Sequence, residues 1–275
     1  MARPLTRPTS LAALPEPSGP VRRVFNQPTV LGLCLLVAVI ALFLMDRLLP
    51  PALADMLLDK DRSTYPVTVQ VVMWLVFALG VGELILRARD AYAERAELRA
   101  GYLPEDLATV LTREDMKRIW ATTRGATMPG AASEDRFLPR LINRIVTLIQ
   151  HDRPVEQADS VLTASVELYL HEIDLRYSLI RYVVWAIPTL GFIGTVIGIS
   201  LALAFAGQVD LQDPTLLAEL TKRLAVAFDT TLLALILAAI LVLGQHIIQA
   251  MEERALNRGG QYVLDNLVNR LHVGD

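Results

Sequence analysis

Two long apolar segments of this chain carry polar residues well inside their ends. Thr195 lies in one segment, and Asp229, Thr230 and Thr231 lie together in the next. Hydrocarbon contains no water, so each of these groups costs free energy unless a protein group or a wet path satisfies it. Polar side chains inside a membrane-embedded helical bundle are therefore candidates for an ion path. We treat these four residues as the candidate ion-pathway residues.

The spacing puts Thr195 and Thr231 at a similar depth in the membrane. Thr195 follows Tyr182, the first residue of its segment, by 13 positions, which is about 19–20 Å along a helix. Thr231 follows Leu224 by 7 positions, which is about 10 Å from the opposite edge. In hydrocarbon about 30 Å thick, the two hydroxyls fall at nearly one level. Asp229 lies about 3 Å beyond Thr231 and is rotated from it by about 200°, so both cannot face one pore.

Each of these residues also has a structural interpretation. A threonine hydroxyl can bond back to the preceding turn of its own helix. The Asp229 carboxyl can extend towards Lys222 or Arg223, which lie about two turns away. A residue satisfied in either way would conduct no ions.

The segment with Thr195 also carries a stripe of glycines and an internal proline. Gly191, Gly194 and Gly198 let helix backbones approach closely in lipid, and we favour this packing role for them. Pro188 removes one backbone donor, which produces either a simple kink or a gating hinge.

Four apolar segments must position these groups. They are Thr29–Met45, Val67–Leu86, Tyr182–Ala206 and Leu224–Gly244. Each reaches the roughly 17–25 residues that a helix needs to cross hydrocarbon. The chain is 53% hydrophobic, above the roughly 45–50% typical of soluble domains. The sequence therefore predicts an all-α polytopic membrane protein with four transmembrane helices.

Basic residues near the segment ends fix the predicted orientation. Arginines lie beside one end of every segment: Arg22, Arg23, Arg87, Arg89, Arg176, Arg181, Arg254 and Arg258. The positive-inside rule then places both termini in the cytoplasm. The expected organisation is a disordered tail without a cleavable signal peptide (1–27), two transmembrane helices with a short outer loop (28–86), a cytoplasmic helical region (87–181), a channel helix pair (182–248) and a cytoplasmic C-terminal helix (249–275) interrupted at Gly259–Gly260.

Several kinds of function lack their sequence signals. The chain has no GxxxxGK[ST] phosphate-binding loop, no nucleophile constellation and no metal-ligand spacing among its four histidines. We therefore expect no enzyme, no catalytic residue, no cofactor, no metal and no nucleic-acid partner. Cys34 is the one cysteine, so an intramolecular disulfide is impossible.

Two motifs resemble a known family. IPTLGFIGTVIG (Ile187–Gly198) and LAVAFDTTLLALILAAI (Leu224–Ile240) are similar, in order and spacing, to the last two spans of the ExbB/TolQ/MotA proton-channel family. The resemblance implies a stator-like inner-membrane ring, commonly a homopentamer, around two copies of a single-span partner whose aspartate carries protons. It matches Thr195 and Thr231 to the channel-lining threonines and Pro188 to the helix-bending proline.

One departure from the family pattern concerns the carboxyl group. Many relatives have glutamate where this chain has Val226, and we expect Asp229, three residues later on a similar helix face, to replace it. The expectation that the conducted ion is a proton rather than sodium rests on the resemblance alone. The rival hypothesis is a non-conducting membrane scaffold whose cytoplasmic helices recruit soluble proteins. A solute carrier is disfavoured because no internal repeat of broken helices is present.

Overall fold

The computed structural model describes residues 27–59, 67–106, 111–126, 136–150, 156–210 and 213–270. These residues contain no β-strand, so the predicted all-helical fold is confirmed for this part of the chain. Residues 1–26 of the expected tail lie outside it. The helices are α1 (Gln27–Leu48), α2 (Pro51–Leu58), α3 (Val69–Glu97), α4 (Arg113–Ala126), α5 (Phe137–Gln150), α6 (Glu156–Arg176), α7 (Ser178–Ala206) and α8 (Leu216–Asn266).

Four helical stretches of the described chain are long and apolar enough to cross a membrane. They are Pro28–Leu48, Val69–Glu97, Gln157–Ala206 and Leu216–Arg270. The predicted four spans therefore stand by length and composition. The third stretch is not one regular helix, because the Tyr177 N–H bonds to the Asp174 carbonyl in a tighter turn between α6 and α7.

The helices form two compact units. Among the described residues, the span unit comprises 27–59, 67–89, 174–210 and 213–250, and the bundle unit comprises 90–106, 111–126, 136–150, 156–173 and 251–270. Because α3 and α8 contribute residues to both units, each is continuous beyond its apolar segment. The candidate ion-pathway residues all belong to the span unit.

Glycines bring α3 close to its neighbours in the span unit. A methyl group added to Gly80 would lie 2.9 Å from Leu241 of α8 and 3.0 Å from Val183 of α7. One added to Gly82 would lie 3.2 Å from Cys34 of α1. Helix α3 therefore touches the other three long helices of this unit, which gives the α7–α8 pair a fixed support.

A short helix occupies the loop expected after the first span. Helix α2 begins at Pro51, where a proline costs no helical hydrogen bond. Thr68 Oγ1 donates to the Leu58 carbonyl at 2.8 Å, and Trp74 Nε1 donates to the Leu57 carbonyl at 3.3 Å. These two bonds fasten α2 to the first turns of α3.

The bundle unit has its own apolar core around α5. Phe137, Leu141 and Ile145, spaced four residues apart along α5, are buried. The Glu94 carboxylate accepts the Phe137 N–H at 3.1 Å and thus caps α5. At the start of α4, the Asp115 carboxylate accepts the Thr112 N–H and the Thr112 hydroxyl accepts the Asp115 N–H, which together form a capping box.

The Arg270 guanidinium joins the end of the chain's last described helical turn to the loop after α3. All five N–H donors of Arg270 are used. The acceptors are the carbonyls of Pro104, Glu105, Asp106 and Asp265 and the Asn266 side chain. Tyr262 adds hydrogen bonds to both the N–H and the carbonyl of Leu103. The loop after α3 is therefore fastened to the end of α8.

The expected interruption at Gly259–Gly260 is wrong, because α8 runs without a break to Asn266. Both glycines are buried. A methyl group on Gly260 would lie 3.2 Å from Val166, and one on Gly259 would lie 3.8 Å from Leu138. These glycines let α5 and α6 approach α8 closely, and this packing outweighs their poor helix propensity.

Candidate ion path between two apolar helices

Small residues hold α7 and α8 in close contact along their length. A methyl group on Gly191 would overlap the Cβ atom of Ala234, and one on Gly198 would lie 2.6 Å from the Cβ atom of Ala227. One on Gly194 would lie 2.9 Å from the Thr230 hydroxyl. The glycine stripe is thus the face that α7 presents to α8, as the packing interpretation expected. This contact decides which polar groups meet.

Replacing Gly191 with alanine is expected to lower the free energy of unfolding by about 1–3 kcal/mol, because the new methyl group meets another Cβ that is fixed to a backbone. Thermal unfolding of the purified protein in detergent would measure the loss. The matched control is Gly32→Ala in α1, where nothing lies within 4 Å of the added methyl group. Equal melting temperatures for both variants would contradict the assigned packing.

The structure brings the Thr195 and Thr231 hydroxyls into direct contact. Thr195 Oγ1 lies 3.0 Å from the Ala227 carbonyl oxygen of α8 and 3.2 Å from the Gly191 carbonyl oxygen of its own helix. Thr231 Oγ1 lies 3.4 Å from the same Gly191 oxygen. Both threonines are half-buried. Two hydroxyls and two backbone carbonyls therefore form one small cluster of oxygens.

This cluster has more acceptors than hydrogens. Each hydroxyl supplies one hydrogen and two lone pairs, and each carbonyl supplies only lone pairs. Two hydrogens must therefore serve four oxygen–oxygen contacts, so either hydroxyl can rotate between partners. Such a cluster can accept a hydrogen bond from a water or a protonated group without losing its own cohesion. It has no formal charge, so it can stabilise a passing cation only through its dipoles.

Thr230 has a different environment from Thr195 and Thr231. Its side chain is fully buried against Gly194, and its hydroxyl donates to the Ala227 carbonyl of the same helix at 2.7 Å. This is the bond to the preceding turn that a threonine makes in a purely structural role. The geometry favours packing for Thr230 rather than a place in the oxygen cluster.

Asp229 lies on another face of α8. It is half-exposed, next to the largely exposed Phe228, and it makes no hydrogen bond or ion pair within the described residues. Arg223, one of its two expected cationic partners, instead lies 4.0 Å from Glu219 and over the Phe205 ring. The carboxyl group is therefore presented outward from the α7–α8 contact.

Pro188 and Glu83 take no part in the oxygen cluster. Helix α7 continues through Pro188, and the next residue, Thr189, donates its hydroxyl to the Trp185 carbonyl at 2.9 Å. Glu83 is buried and pairs with Arg87 at 2.8 Å, as expected for an ion pair one turn apart. Among the residues that the structure describes, no group of His, Cys, Asp or Glu could hold a metal.

Residues 131–258 match the model of the MotA/TolQ/ExbB proton channel family. This segment belongs to that family. It contains the whole oxygen cluster, the glycine stripe and Asp229, so the predicted membership is confirmed on the residues that carry the site. The family is one of membrane proton channels rather than enzymes. Comparisons with curated proteins and with solved structures give no match.

One member of the cluster had no signal in the sequence. Ala227 contributes through its carbonyl oxygen, which accepts from both Thr195 and Thr230, and its small side chain lies against Gly198. A backbone acceptor cannot be read from residue type. The small side chain of Ala227, four residues before Thr231, is the available hint, because it leaves room for the facing helix.

Proposed function

We propose that this chain is a subunit of a proton-conducting motor in the bacterial inner membrane. It couples ion flow down the proton motive force to mechanical work through a single-span partner that carries an intramembrane aspartate. The chain forms a ring, with five copies as the expected number, and both of its termini face the cytoplasm. The family membership of residues 131–258 and the four apolar stretches support this proposal.

The observation that carries the proposal is the contact between the Thr195 and Thr231 hydroxyls. Two polar side chains on separate apolar helices meet at one level, where hydrocarbon would penalise each of them. Their cluster can exchange hydrogen bonds with an incoming proton carrier. Asp229 supplies an ionisable group two residues away on a face of α8 that this chain leaves open. A membrane potential provides about 2.3 kcal/mol per charge per 100 mV to drive the step.

A specific feature also favours the rival function, a non-conducting scaffold. Each threonine hydroxyl already lies within hydrogen-bonding distance of a backbone carbonyl of the helix pair, so the cluster could serve only to join α7 and α8. The bundle unit, with its own core, would then recruit soluble proteins. The two functions differ in whether ions cross the membrane.

Copurification and a flux assay separate the two functions. The chain, tagged and extracted from its own membranes in mild detergent, should retain a small one-span protein with an aspartate in its apolar segment. The assembly, reconstituted in liposomes with a potassium diffusion potential, should acidify the lumen as reported by a pH-sensitive dye. Replacing sodium with choline should leave this flux unchanged. A purified ring without such a partner and without flux would establish the scaffold instead.

A further inference from the structure

A fully buried amide lies in the span unit outside the segment that matches the family. Gln70, in the first turn of α3, is 0% exposed. Neither its Oε1 nor its Nε2 atom has a hydrogen-bond partner in the described part of the chain. Leaving a buried polar group unsatisfied costs free energy. An amide that keeps both a donor and an acceptor unused in this setting indicates a bound polar ligand.

The helix register places Gln70 near the level of the oxygen cluster. Gly80 of α3 meets Leu241 of α8, and Leu84 meets Gly244 one turn further on, so the two helices run parallel. Gln70 precedes Gly80 by ten residues, and Thr231 precedes Leu241 by the same number. Both positions lie about 15 Å from this contact along their helices. Gln70 and Thr231 therefore share a level to within about one helical turn.

Residues on both sides of Gln70 in the sequence fasten the start of α3 to α2. Thr68 and Trp74, on either side of it in sequence, both bond to carbonyls at the end of α2. Met73, one turn further along α3, is also 0% exposed. The complete burial of Gln70 itself therefore places the amide within protein.

We propose that Gln70 binds water and extends the hydrated ion path from the threonine cluster to α3. A buried water makes about three hydrogen bonds to polar groups that protein atoms leave unsatisfied. The amide offers it both an acceptor and a donor. This role rests on the proposed function, since a water at the threonine level is useful only where protons cross. It adds a residue of α3 to a path otherwise built from α7 and α8.

Thiol accessibility tests the water directly. In a Cys34→Ala background, Gln70→Cys and Met73→Cys are compared in the assembled protein in native membranes, with ethylammonium methanethiosulfonate as the probe. The thiolate attacks the reagent and displaces methanesulfinate, and the thiolate forms only where water reaches the sulfur. Both positions are equally buried, so burial alone predicts equal rates. We expect Gln70→Cys to react at least ten-fold faster, and equal rates would overturn the proposal.

Proton flux separates this proposal from the one on which it rests. Gln70→Met removes both polar atoms at similar length and should lower flux several-fold in liposomes, whereas Met73→Leu should not change it. Thr195→Val is assayed in the same series. Lost flux in Thr195→Val with full flux in Gln70→Met would refute the role of Gln70 and leave the channel standing. Full flux in both would refute the roles of the threonine cluster and of Gln70, and absence of flux in the unsubstituted protein would refute the channel itself.

Discussion

Replacing Thr195 with valine is expected to reduce proton flux at least ten-fold while the assembly stays intact. Valine keeps the shape of the side chain and removes its hydroxyl. The Thr231 hydroxyl and the Ala227 carbonyl then lose a shared partner, and the cluster loses one of its two hydrogens. A ten-fold loss corresponds to about 1.4 kcal/mol, which is the size of a single hydrogen bond. Flux into liposomes, normalised to the amount of reconstituted protein, is the measurement.

Two threonines outside the cluster provide matched controls for this substitution. Thr189 lies on α7 and Thr221 on α8, and each hydroxyl bonds only to a carbonyl four residues earlier in its own helix. Thr189→Val and Thr221→Val should therefore keep wild-type flux. Thr231→Val should behave like Thr195→Val. A wild-type rate in both cluster variants would mean that the hydroxyl contact only joins the two helices.

Replacing Asp229 with asparagine is expected to abolish proton-driven work. In the proposed mechanism this carboxyl group takes up and releases a proton, which an amide of the same shape cannot do. No cation within the described residues neutralises it, so the substitution removes no ion pair of this chain. Flux and the output of the driven process are both measured. The control is Glu219→Gln, an acid on the same helix before its apolar segment.

The outcome for Asp229 separates two routes for the ion. Loss of flux in the variant places the carboxyl group on the path, where it faces the partner or a second copy of this chain. Normal flux in Asp229→Asn, combined with loss in Thr195→Val, would restrict the path to the threonine cluster. The carboxyl group would then have only a structural role at an interface.

The sequence predicted the spans and the depth of the threonines for simple geometric reasons. Helical rise is constant, so counting from the ends of two apolar segments brought Thr195 and Thr231 to one level, and the structure has their hydroxyls in contact. The same geometry predicted that Asp229 and Thr231 point in different directions. Which face of α7 meets α8 also followed from the glycine stripe, because only small residues permit so close an approach.

Other features depend on contacts that no local pattern encodes. The bonds of Arg270 join positions more than 160 residues apart, and the sequence around it resembles any basic helix end. Gly259 and Gly260 suggested a break because propensity is local, whereas the neighbours that they admit come from α5 and α6. Gln70 is the one amide in its apolar segment, which was a usable signal, but its burial required the fold.

The tight seam between α7 and α8 limits how this protein can move. Sliding α7 along α8 by four residues, about 6 Å, would bring Ile187 or Thr195 to the place where Gly191 now admits Ala234, and neither side chain fits there. Shear by one helical turn is therefore sterically opposed. If the protein converts a proton gradient into torque, we expect α7 and α8 to turn or tilt together as a rigid body.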